Sequence, residues 1–443
     1  MQRLFAFSKA TCSDWLLPPS RCRNKMTSVD PQAVIVPRSE HGISRKQIDE
    51  NTLKVLYRLH RNGYLAYLVG GSVRDLRLGR TPKDFDVGTD ATPAQVKKLF
   101  RNCFLVGRRF RLAHICFSRK DVIEVATFRR QPAPEELPED PAEHFLLVQN
   151  QFGTPREDAF RRDFTINALF YNIADFSIID HVGGLDDLAA RRLRVIGDPR
   201  VRFQEDPVRM LRALEFEARL DFTLDDAARA GIQACAPLIS EAAPARVREE
   251  ILELFRHAVA ARVLCRAQEE GLLSPLLGGY NADLATFDLL TQLDQRTAAG
   301  TKCGEGFALA ALFLSRFLQK CPSTGDLQIG DVLQAANRTL GTYSNYFRIA
   351  HGIRHQAREL LVGCYRLGRG RGRRGERRFL QHPATPRALE LFELWNRAIE
   401  GDPERVSLWQ ESLQKRKTPP PPQPKTRQRP RRRRSGKRPH PQL

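Results

Sequence analysis

Hydrophobic and polar residues follow two different patterns along this chain. Up to about residue 180, short apolar runs alternate with helical stretches and with breaks at glycine, proline and acidic residues, which is typical of an α/β region. Beyond that point apolar residues recur at helical spacing, which predicts a mainly helical remainder and an α+β fold class overall. The predicted strands are residues 65–69, 84–87, 112–117 and 122–127, and the predicted helices are 44–61, 206–220, 224–238, 245–257, 260–271, 305–318, 330–340, 345–367 and 387–400.

Two aspartates one residue apart, Asp84 and Asp86, lie in the second predicted strand. Alternate residues of a strand point to the same face, so both carboxylates can be directed to one point while Phe85 and Val87 turn towards the core. Hard oxygen ligands of this kind suit Mg²⁺. The pair is therefore predicted to be catalytic and to hold the metal.

The segment before these aspartates has the order strand, glycine turn and helix start, with the turn at Gly70-Gly71-Ser72. Glycines let backbone N–H groups approach an anion closely, and a helix N-terminus adds partial positive charge. Ser72 and Arg74 can supply further donors to a triphosphate. A Gly-Gly turn or an Asp-x-Asp strand is common on its own, but their order and short separation together predict a nucleotide site.

Five ordered blocks carry a family resemblance: residues 70–75 (GGSVRD), 84–86 (DFD), 123–129 (IEVATFR), 161–168 (RRDFTINA) and 205–213 (EDPVRMLRA). Together they resemble the class II nucleotidyltransferases of the polymerase-beta superfamily. This group holds CCA-adding tRNA nucleotidyltransferases and bacterial poly(A) polymerases. A further stretch, residues 105–115 (LVGRRFRLAHI), is similar to one peculiar to the bacterial poly(A) polymerases, so the resemblance implies adenylate addition.

The resemblance runs from about residue 43 to residue 400 and is most specific before residue 220. It implies a polymerase-beta-like nucleotidyltransferase head with a mixed sheet, followed by a mainly α-helical neck and body. The predicted segments are a variable N-terminal segment (1–40), the head (41–180), a neck that recognises the nucleotide base (181–275), a body that binds RNA (276–412) and a disordered basic tail (413–443).

A third catalytic carboxylate is expected, and two residues compete for the role. Asp163 is favoured because the matching family motif lies against the nucleotide sugar, and Arg162 beside it is implied to bind the nucleotide. Glu124, on a neighbouring predicted strand, is the alternative. Without a catalytic role, Asp163 would cap a helix that starts at Phe164.

In the last block, Asp206, Arg209 and Arg212 recur every three residues and so share one side of a predicted helix. The resemblance implies that Asp206 and Arg209 contact the incoming base, with Arg212 supporting them or the phosphates. The alternative is an ion-pair ladder on the helix surface. Glu215 departs from the family pattern, which commonly has another arginine there, so no role is transferred to it.

Two basic stretches are open to two interpretations each. Arg108, Arg109 and Arg111 either line the entrance for nucleotide or RNA or form an exposed turn. Residues 366–378 hold seven arginines and four glycines and form either an RNA-contacting loop or a solvated interdomain loop. His114 is assigned no catalysis, because a lone histidine in an apolar strand is usually a packed residue.

The formal net charge is +21, and residues 415–443 account for +12 of it, with twelve Lys and Arg and no Asp or Glu. That segment has almost no apolar residues, so it is expected to be disordered. A polycation of this kind suits RNA phosphates, which it would bind without regard to sequence. A solubilising tail is the alternative interpretation.

Nine scattered cysteines without close metal-ligand pairs indicate a reduced intracellular protein, here expected in a bacterial cytoplasm. No apolar run reaches the length of a membrane span. The segment before Val34 matches nothing in the pattern, so we expect a variable N-terminus, with Met26 as an alternative start. Its scattered basic residues mimic an organelle transit peptide, but Phe, Trp and Pro interrupt any amphipathic face.

These observations predict a template-independent RNA adenylyltransferase. Its substrate would be ATP, its cofactor two Mg²⁺ ions with Mn²⁺ as an alternative, and its partners single-stranded RNA 3′ ends and RNA-decay proteins. A CCA-adding tRNA nucleotidyltransferase is the nearest rival. A catalytically inactive RNA-binding protein is the alternative from another class.

Overall fold

The computed structural model describes residues 33–107, 112–118, 121–132, 136, 151–322 and 327–417. Their apolar side chains form one large core that runs from Ile43 in the sheet region to Trp409 near the end of the described chain. A smaller cluster around Phe128 and Phe170 fills the other face of the sheet. The N-terminal segment before residue 33, the arginines of residues 108–111, residues 137–150 and the segment after residue 417 lie outside the described residues.

The first part of the structure is built on an eight-stranded mixed sheet, which confirms the predicted fold class. Its spatial order is β1-β8-β7-β2-β3-β6-β5-β4, and all neighbours are antiparallel except β3 and β6, which are parallel. The strands are β1 Val34–Val36, β2 Ala66–Val69, β3 Asp86–Thr89, β4 Cys103–Val106, β5 Leu112–Cys116, β6 Val122–Thr127, β7 Leu169–Asn172 and β8 Ile178–Asp180, with a separate parallel pair of β9 Arg192–Leu193 and β10 Thr223–Leu224.

Helices flank the sheet and then make up the rest of the described chain, as the periodicity predicts. Those around the sheet are α1 Glu50–Arg61, α2 Gly71–Arg77, α3 Pro93–Leu99, α4 Pro155–Phe160 and α5 Gly184–Ala189. The following helices are α6 Pro199–Glu205, α7 Val208–Leu220, α8 Asp226–Cys235, α9 Pro244–Arg256, α10 Ala260–Glu269, α11 Leu273–Leu276, α12 Leu284–Ala298, α13 Glu305–Lys320, α14 Ile329–Tyr346, α15 His351–Gly368, α16 Glu376–Leu380, α17 Thr385–Ala398 and α18 Pro403–Lys417.

Local capping explains why the first predicted helix is shorter than expected. Ser44 and Gln47 form a capping box around a 3₁₀ turn, and the helix proper starts after Asp49. The Asp49 carboxylate accepts a hydrogen bond of 2.9 Å from the Thr52 amide, so it satisfies one of the free N–H groups of the first turn. Two adjacent N-cap signals therefore divide a continuous apolar pattern into a turn and a helix.

Strand β3 also starts later than predicted, at Asp86 rather than at residue 84. Asp84 lies in the segment that leads into it, yet the alternation continues: Asp84 and Asp86 are exposed, Phe85 is half-buried against the core and Val87 is fully buried. The pattern of exposure keeps both carboxylates on the solvent side of the sheet edge. The physical basis of the predicted pair is thus present without a full strand.

The largest omission is the pair β7 and β8, which the sequence patterns did not indicate. Strand β7 hydrogen-bonds to β2 in the middle of the sheet, so it supports the turn that follows β2. The helix α12 was also not predicted. Between α15 and α16 the arginine-rich segment forms a short turn, where Arg366 donates to the Gly375 carbonyl at 3.1 Å and lies over the Phe379 ring. Within the described ranges, none of the helices combines the length and the apolarity that a membrane crossing needs.

Candidate active site

Asp86 and Glu124 lie side by side in the sheet because of how β3 pairs with its two neighbours. Asp86 lies opposite Val69, the last residue of β2. On the other side β3 runs parallel to β6, with Val87 next to Val125. Asp86 directly precedes Val87, and Glu124 directly precedes Val125. Because the two strands are parallel and in register, Asp86 and Glu124 are neighbours on the same face of the sheet. The parallel register thus brings together two acidic residues that are 38 positions apart.

Asp86 has acidic neighbours. Its pKa is raised to about 6. The main cause is desolvation of the carboxylate by nearby protein atoms, and the negative charges of Glu124 and Asp84 add to this, while Arg162 opposes it. Uncompensated negative charge at an edge of exposed carboxylates is what a divalent cation would neutralise.

Glu124 is well placed to share this role. Its carboxylate is exposed, and the residue that faces it is His114 of β5, with Nε2 3.5 Å from the Glu124 oxygen. This contact counts as an ion pair only when His114 is protonated. His114 is therefore a half-buried partner of Glu124, in keeping with the absence of any catalytic assignment.

The turn after β2 has the shape that the sequence predicts for a phosphate cradle. Gly70 has a φ of +71° and a ψ of −135°, which non-glycine residues rarely adopt, and α2 starts at the next residue. A Cβ atom on Gly70 would lie 3.0 Å from the Arg162 Nη1. Glycine here thus lets the Arg162 guanidinium approach the turn closely.

Ser72 and Arg74, predicted as further phosphate donors, both point into the protein. The Ser72 hydroxyl donates to the Val69 carbonyl at 2.9 Å, and the residue is 3% exposed. The Arg74 Nε donates to Asp75 and its Nη1 donates to the Asn167 side chain at 2.6 Å. Since these donors are already bonded, the geometry favours a role in holding the turn rather than direct contact with a phosphate.

Asp163 is held in an ion pair with Arg212. Its Oδ2 accepts from Arg212 Nη2 at 2.7 Å and from Arg212 Nε at 3.0 Å. Its Oδ1 accepts from the Phe164 amide at 2.8 Å and from Asn167 Nδ2 at 3.1 Å. Burial alone would raise the pKa of Asp163, but Arg212 and these hydrogen bonds lower it overall. The predicted helix at residue 164 is a 3₁₀ turn, Thr165–Asn167, without a side-chain cap.

Arg162 is oriented by a buried acid that sequence reasoning did not single out. Asp158 is 5% exposed and pairs with both Arg161 and Arg162, each at 3.0 Å. Burial raises the pKa of Asp158, but the two guanidinium groups lower it overall, so the anion is retained. Arg162 also donates to the Asn167 carbonyl at 3.2 Å. It is therefore fixed between the glycine turn and the carboxylates.

Asp206 and Arg209 are near each other at the start of α7, but each is bonded to a different partner. Asp206 precedes the helix and forms a two-pronged ion pair with Arg246, at 3.0 and 2.7 Å. Arg209 donates to Glu205 at 3.1 Å and to the Arg202 carbonyl at 2.9 Å. No ion pair among the three predicted base-reading residues is found in the described part of the chain, which argues against the ladder interpretation. Val208, Leu211 and Leu214 on the same helix are buried, as predicted.

Glu215 does not pair with Arg212. It is 5% exposed and contacts the Arg219 Nε at 2.6 Å and the His257 Nδ1 at 2.9 Å. Arg212 instead reaches Glu250 at 3.4 Å in addition to Asp163. Glu215 is thus a buried residue of α7 that pairs with Arg219 and His257.

Sequence reasoning missed three residues that hold the site together: Asn167, Asp158 and Arg246. Asn167 lies within one of the family blocks, so its position was a signal. Asp158 precedes Arg161 and Arg162 by three and four residues, a spacing that also was a signal in the sequence. Arg246 lies 40 residues after its partner Asp206, and periodicity alone does not indicate such a pair.

The donor set fits a hard divalent cation. Asp84, Asp86 and Glu124 offer oxygen ligands only, the kind that Mg²⁺ prefers. Within the described residues, no group of three Asp, Glu, His or Cys side chains already converges closely enough to hold a metal ion.

Comparison with known families agrees with this geometry. Residues 66–194 match the family described as "Poly A polymerase head domain", and residues 221–284 match "Probable RNA and SrmB- binding site of polymerase A". Poly(A) polymerase I of Salmonella typhi is 40% identical over 409 residues, which cover 88% of this chain and 87% of that protein. A CCA-adding enzyme of Bacillus pumilus is also 40% identical, but over 174 residues that cover 39% of this chain.

Solved structures with a similar fold include CCA-adding enzymes. The Bacillus stearothermophilus CCA-adding enzyme in complex with CTP has a TM-score of 0.56 at 27% identity and covers 82% of this chain and 80% of its own. A tRNA nucleotidyltransferase complexed with a primer tRNA and an incoming ATP analog has a TM-score of 0.59 at 25% identity and covers 82% of this chain and all of its own. Each of these two structures thus has counterparts for 82% of the chain.

Proposed function

The chain belongs to the bacterial poly(A) polymerase family, and we propose that it adds AMP from ATP to RNA 3′ ends without a template. The observation that carries the proposal is the 40% identity to Poly(A) polymerase I over 88% of the chain. Identity to the CCA-adding enzyme is confined to a smaller part of the chain, which supports adenylate addition over CCA addition.

We propose that Asp84, Asp86 and Glu124 hold divalent cations, two Mg²⁺ ions or Mn²⁺ in their place. Bound there, the cations would lower the pKa of the RNA 3′ hydroxyl and neutralise charge on the nucleotide phosphates. The parallel register of β3 and β6 and the raised pKa of Asp86 support Glu124 as the third carboxylate. Asp163, favoured from sequence, is instead proposed as a positioning residue, because Arg212 already saturates one of its oxygens.

The chain's own residues would position the substrates. Backbone N–H groups around Gly70 and Gly71, with the Arg162 guanidinium beside them, suit the negative charge of the triphosphate. Asp163 holds Arg212 towards the site, and Asn167 joins Asp163 to Arg74. These contacts preset the geometry, so little reorganisation is needed when ATP binds.

For the base, we propose that Asp206 and Arg209 provide the hydrogen-bonding edge. An adenine presents an amino donor and a ring-nitrogen acceptor, which a carboxylate and a guanidinium can meet together. Arg246 holds Asp206 by both oxygens, so its orientation is fixed before a base arrives. The interaction chooses among bases through the side chains and needs no template strand.

We further propose single-stranded RNA 3′ ends as the acceptor, a cytoplasmic location and transient contact with RNA-decay proteins. The match of residues 221–284 to an RNA-binding family supports the first of these. The twelve basic residues from position 415 onward would add affinity that does not depend on sequence.

The test is incorporation of each labelled nucleotide into a generic RNA and into a tRNA that lacks its CCA end. We expect long tails from ATP alone on the generic RNA. CTP incorporation confined to the tRNA would instead identify a CCA-adding enzyme.

The Asp84→Ala, Asp86→Ala double variant is the control for catalysis. It should abolish incorporation while it leaves RNA binding intact. A wild-type chain that binds RNA but incorporates none of the four nucleotides would support the non-enzymatic alternative.

A further inference from the structure

A polar cavity of about 420 Å³ lies between α14 and α15, in the helical region far along the chain from the sheet. Its volume is in the range of small-ligand sites. The side chains that line it are mostly hydrogen-bond donors: Asn337, Ser344 and Asn345 from α14, and His351, Arg354 and Arg358 from α15. None of its described lining residues is acidic.

The basic residues share one face of α15. Positions 351, 354, 355 and 358 follow the spacing of three and four residues that places side chains in one row. The row starts at the first residue of the helix, where free backbone N–H groups add partial positive charge. One end of the cavity is thus electropositive from both side chains and backbone.

Two buried polar atoms of the residues that line the cavity lack hydrogen-bond partners in the described part of the chain. Ser344 is 2% exposed, and its hydroxyl has no hydrogen-bond partner within the described part of the chain. The Arg354 Nε is also buried without one, and the Arg354 guanidinium forms no ion pair with the described residues. Leaving a buried donor unsatisfied is costly, so a shift of either side chain towards an acceptor in the cavity would recover that cost.

Arg358 differs from Arg354 because it is partly neutralised. Its Nη2 lies 2.9 Å from Glu359, which is also 3.7 Å from the Nε2 atoms of His355 and His382. Glu359 therefore restrains the outer part of the row. Arg354, which lines the same cavity as Ser344, forms no ion pair with the described residues.

We propose that this cavity binds a phosphate group of the RNA backbone. A phosphodiester offers acceptor oxygens and negative charge to a guanidinium, a hydroxyl and amide N–H groups, and it supplies no donor that would need an acidic partner. RNA as the source of the phosphate rests on the proposed function. The cavity would hold an RNA phosphate away from the 3′ end, while the 3′ end of the RNA lies at Asp84, Asp86 and Glu124.

The test measures binding of a fluorescent oligoadenylate to the full chain. Binding is monitored by fluorescence anisotropy, without ATP, at several salt concentrations. Loss of one single-strand phosphate contact changes the salt slope by about 0.7, which corresponds to about fourfold weaker binding at roughly 0.15 M salt. We expect both changes for Arg354→Gln. Arg338→Gln is the matched control, because Arg338 is an exposed arginine on α14 that does not line the cavity.

The Ser344→Ala variant tests whether the cavity binds RNA or only contains water. Removal of a buried hydroxyl without a partner should leave the melting temperature of the free protein unchanged or higher, while it weakens RNA binding. Inorganic phosphate should compete with RNA better on the wild type than on Arg354→Gln.

The proposal is overturned if Arg354→Gln and Ser344→Ala bind RNA with the wild-type affinity and salt slope. It is also overturned if inorganic phosphate binds the cavity but the RNA affinity does not respond to either substitution. A chain that shows the expected losses but fails to incorporate ATP would support the cavity and contradict the proposed enzymatic function.

Discussion

Asp163 and Glu124 are the two candidates for the third carboxylate. Removal of the charge should mainly lower stability at Asp163 and mainly lower activity at Glu124. In Asp163→Asn the side chain keeps its size, but one carboxylate oxygen becomes an NH₂ group. Both Asp163 oxygens accept from donors: Arg212 on one side, and the Phe164 amide with Asn167 Nδ2 on the other. Either orientation of the new amide therefore sets a donor against a donor.

The size of this effect can be worked from the contacts. A hydrogen bond to a charged group contributes about 1.5–3 kcal/mol. The loss is reduced here because a third of the Arg212 side chain is exposed and Glu250 remains 3.4 Å from it. We expect Asp163→Asn to cost about 2 kcal/mol, a fall of a few degrees in melting temperature for a chain of this size.

Glu124→Gln should behave in the opposite way. The Glu124 carboxylate is exposed and its contact with His114 is 3.5 Å long, so stability should change by less than about 0.5 kcal/mol. Loss of a metal ligand removes several kcal/mol of the charge stabilisation that the metal gives to the transition state. Because about 1.36 kcal/mol of activation free energy corresponds to a tenfold change in rate, the rate should fall by about a hundredfold or more. His114→Gln is the control and should remain active.

The assay combines thermal melting with initial rates of AMP incorporation at saturating ATP and RNA. Asp163→Asn should melt early but retain measurable turnover below its melting temperature. If Asp163→Asn melts like the wild type and is inactive, while Glu124→Gln is fully active, the assignment of the two carboxylates is reversed.

Three further predictions concern stability and metal dependence. Burial raises the pKa of Asp294 to about 6 from an ordinary value of 3.8, so the folded protein binds this proton more tightly than the unfolded chain, and stability falls as pH rises from about 4 to 6. Asp294→Asn should therefore raise the free energy of unfolding at pH 8 by at most about 3 kcal/mol, and the melting temperature with it. Near pH 4 the melting temperature should change little. An equal effect at both pH values would contradict this. Gly88→Ala places a Cβ 2.6 Å from the Phe128 ring, which should cost about 1–3 kcal/mol in a melting experiment, whereas Gly42→Ala, with no heavy atom within 4 Å of its Cβ, should not. Chelation of divalent cations should stop AMP incorporation, with recovery on adding Mg²⁺, and should leave RNA binding measured by anisotropy unchanged; activity in excess chelator would refute the metal assignment.

The parts of the site that were predicted from sequence are those made by residues close together in the chain. The pair Asp84 and Asp86 is predicted because alternation along an extended segment is local, and the glycine turn is predicted because strand, turn and helix start follow one another directly. Family blocks extended this to Arg162 and to the start of α7. Boundaries shifted by a few residues, as at Ser44, because adjacent capping residues compete for the same helix start.

The amino-acid sequence by itself thus determined the fold class, the family, the acidic pair and the glycine turn. The tertiary structure decided which partner each charged side chain has. Glu124 joins the acidic edge because β3 and β6 are parallel, Asp163 is bound by Arg212 from a helix 49 residues later, and Arg246 holds Asp206 across 40 residues. Chain periodicity reports which face of an element is buried, whereas an ion pair depends on distances of a few ångströms between elements, and those distances exist only after the sheet and helices have packed.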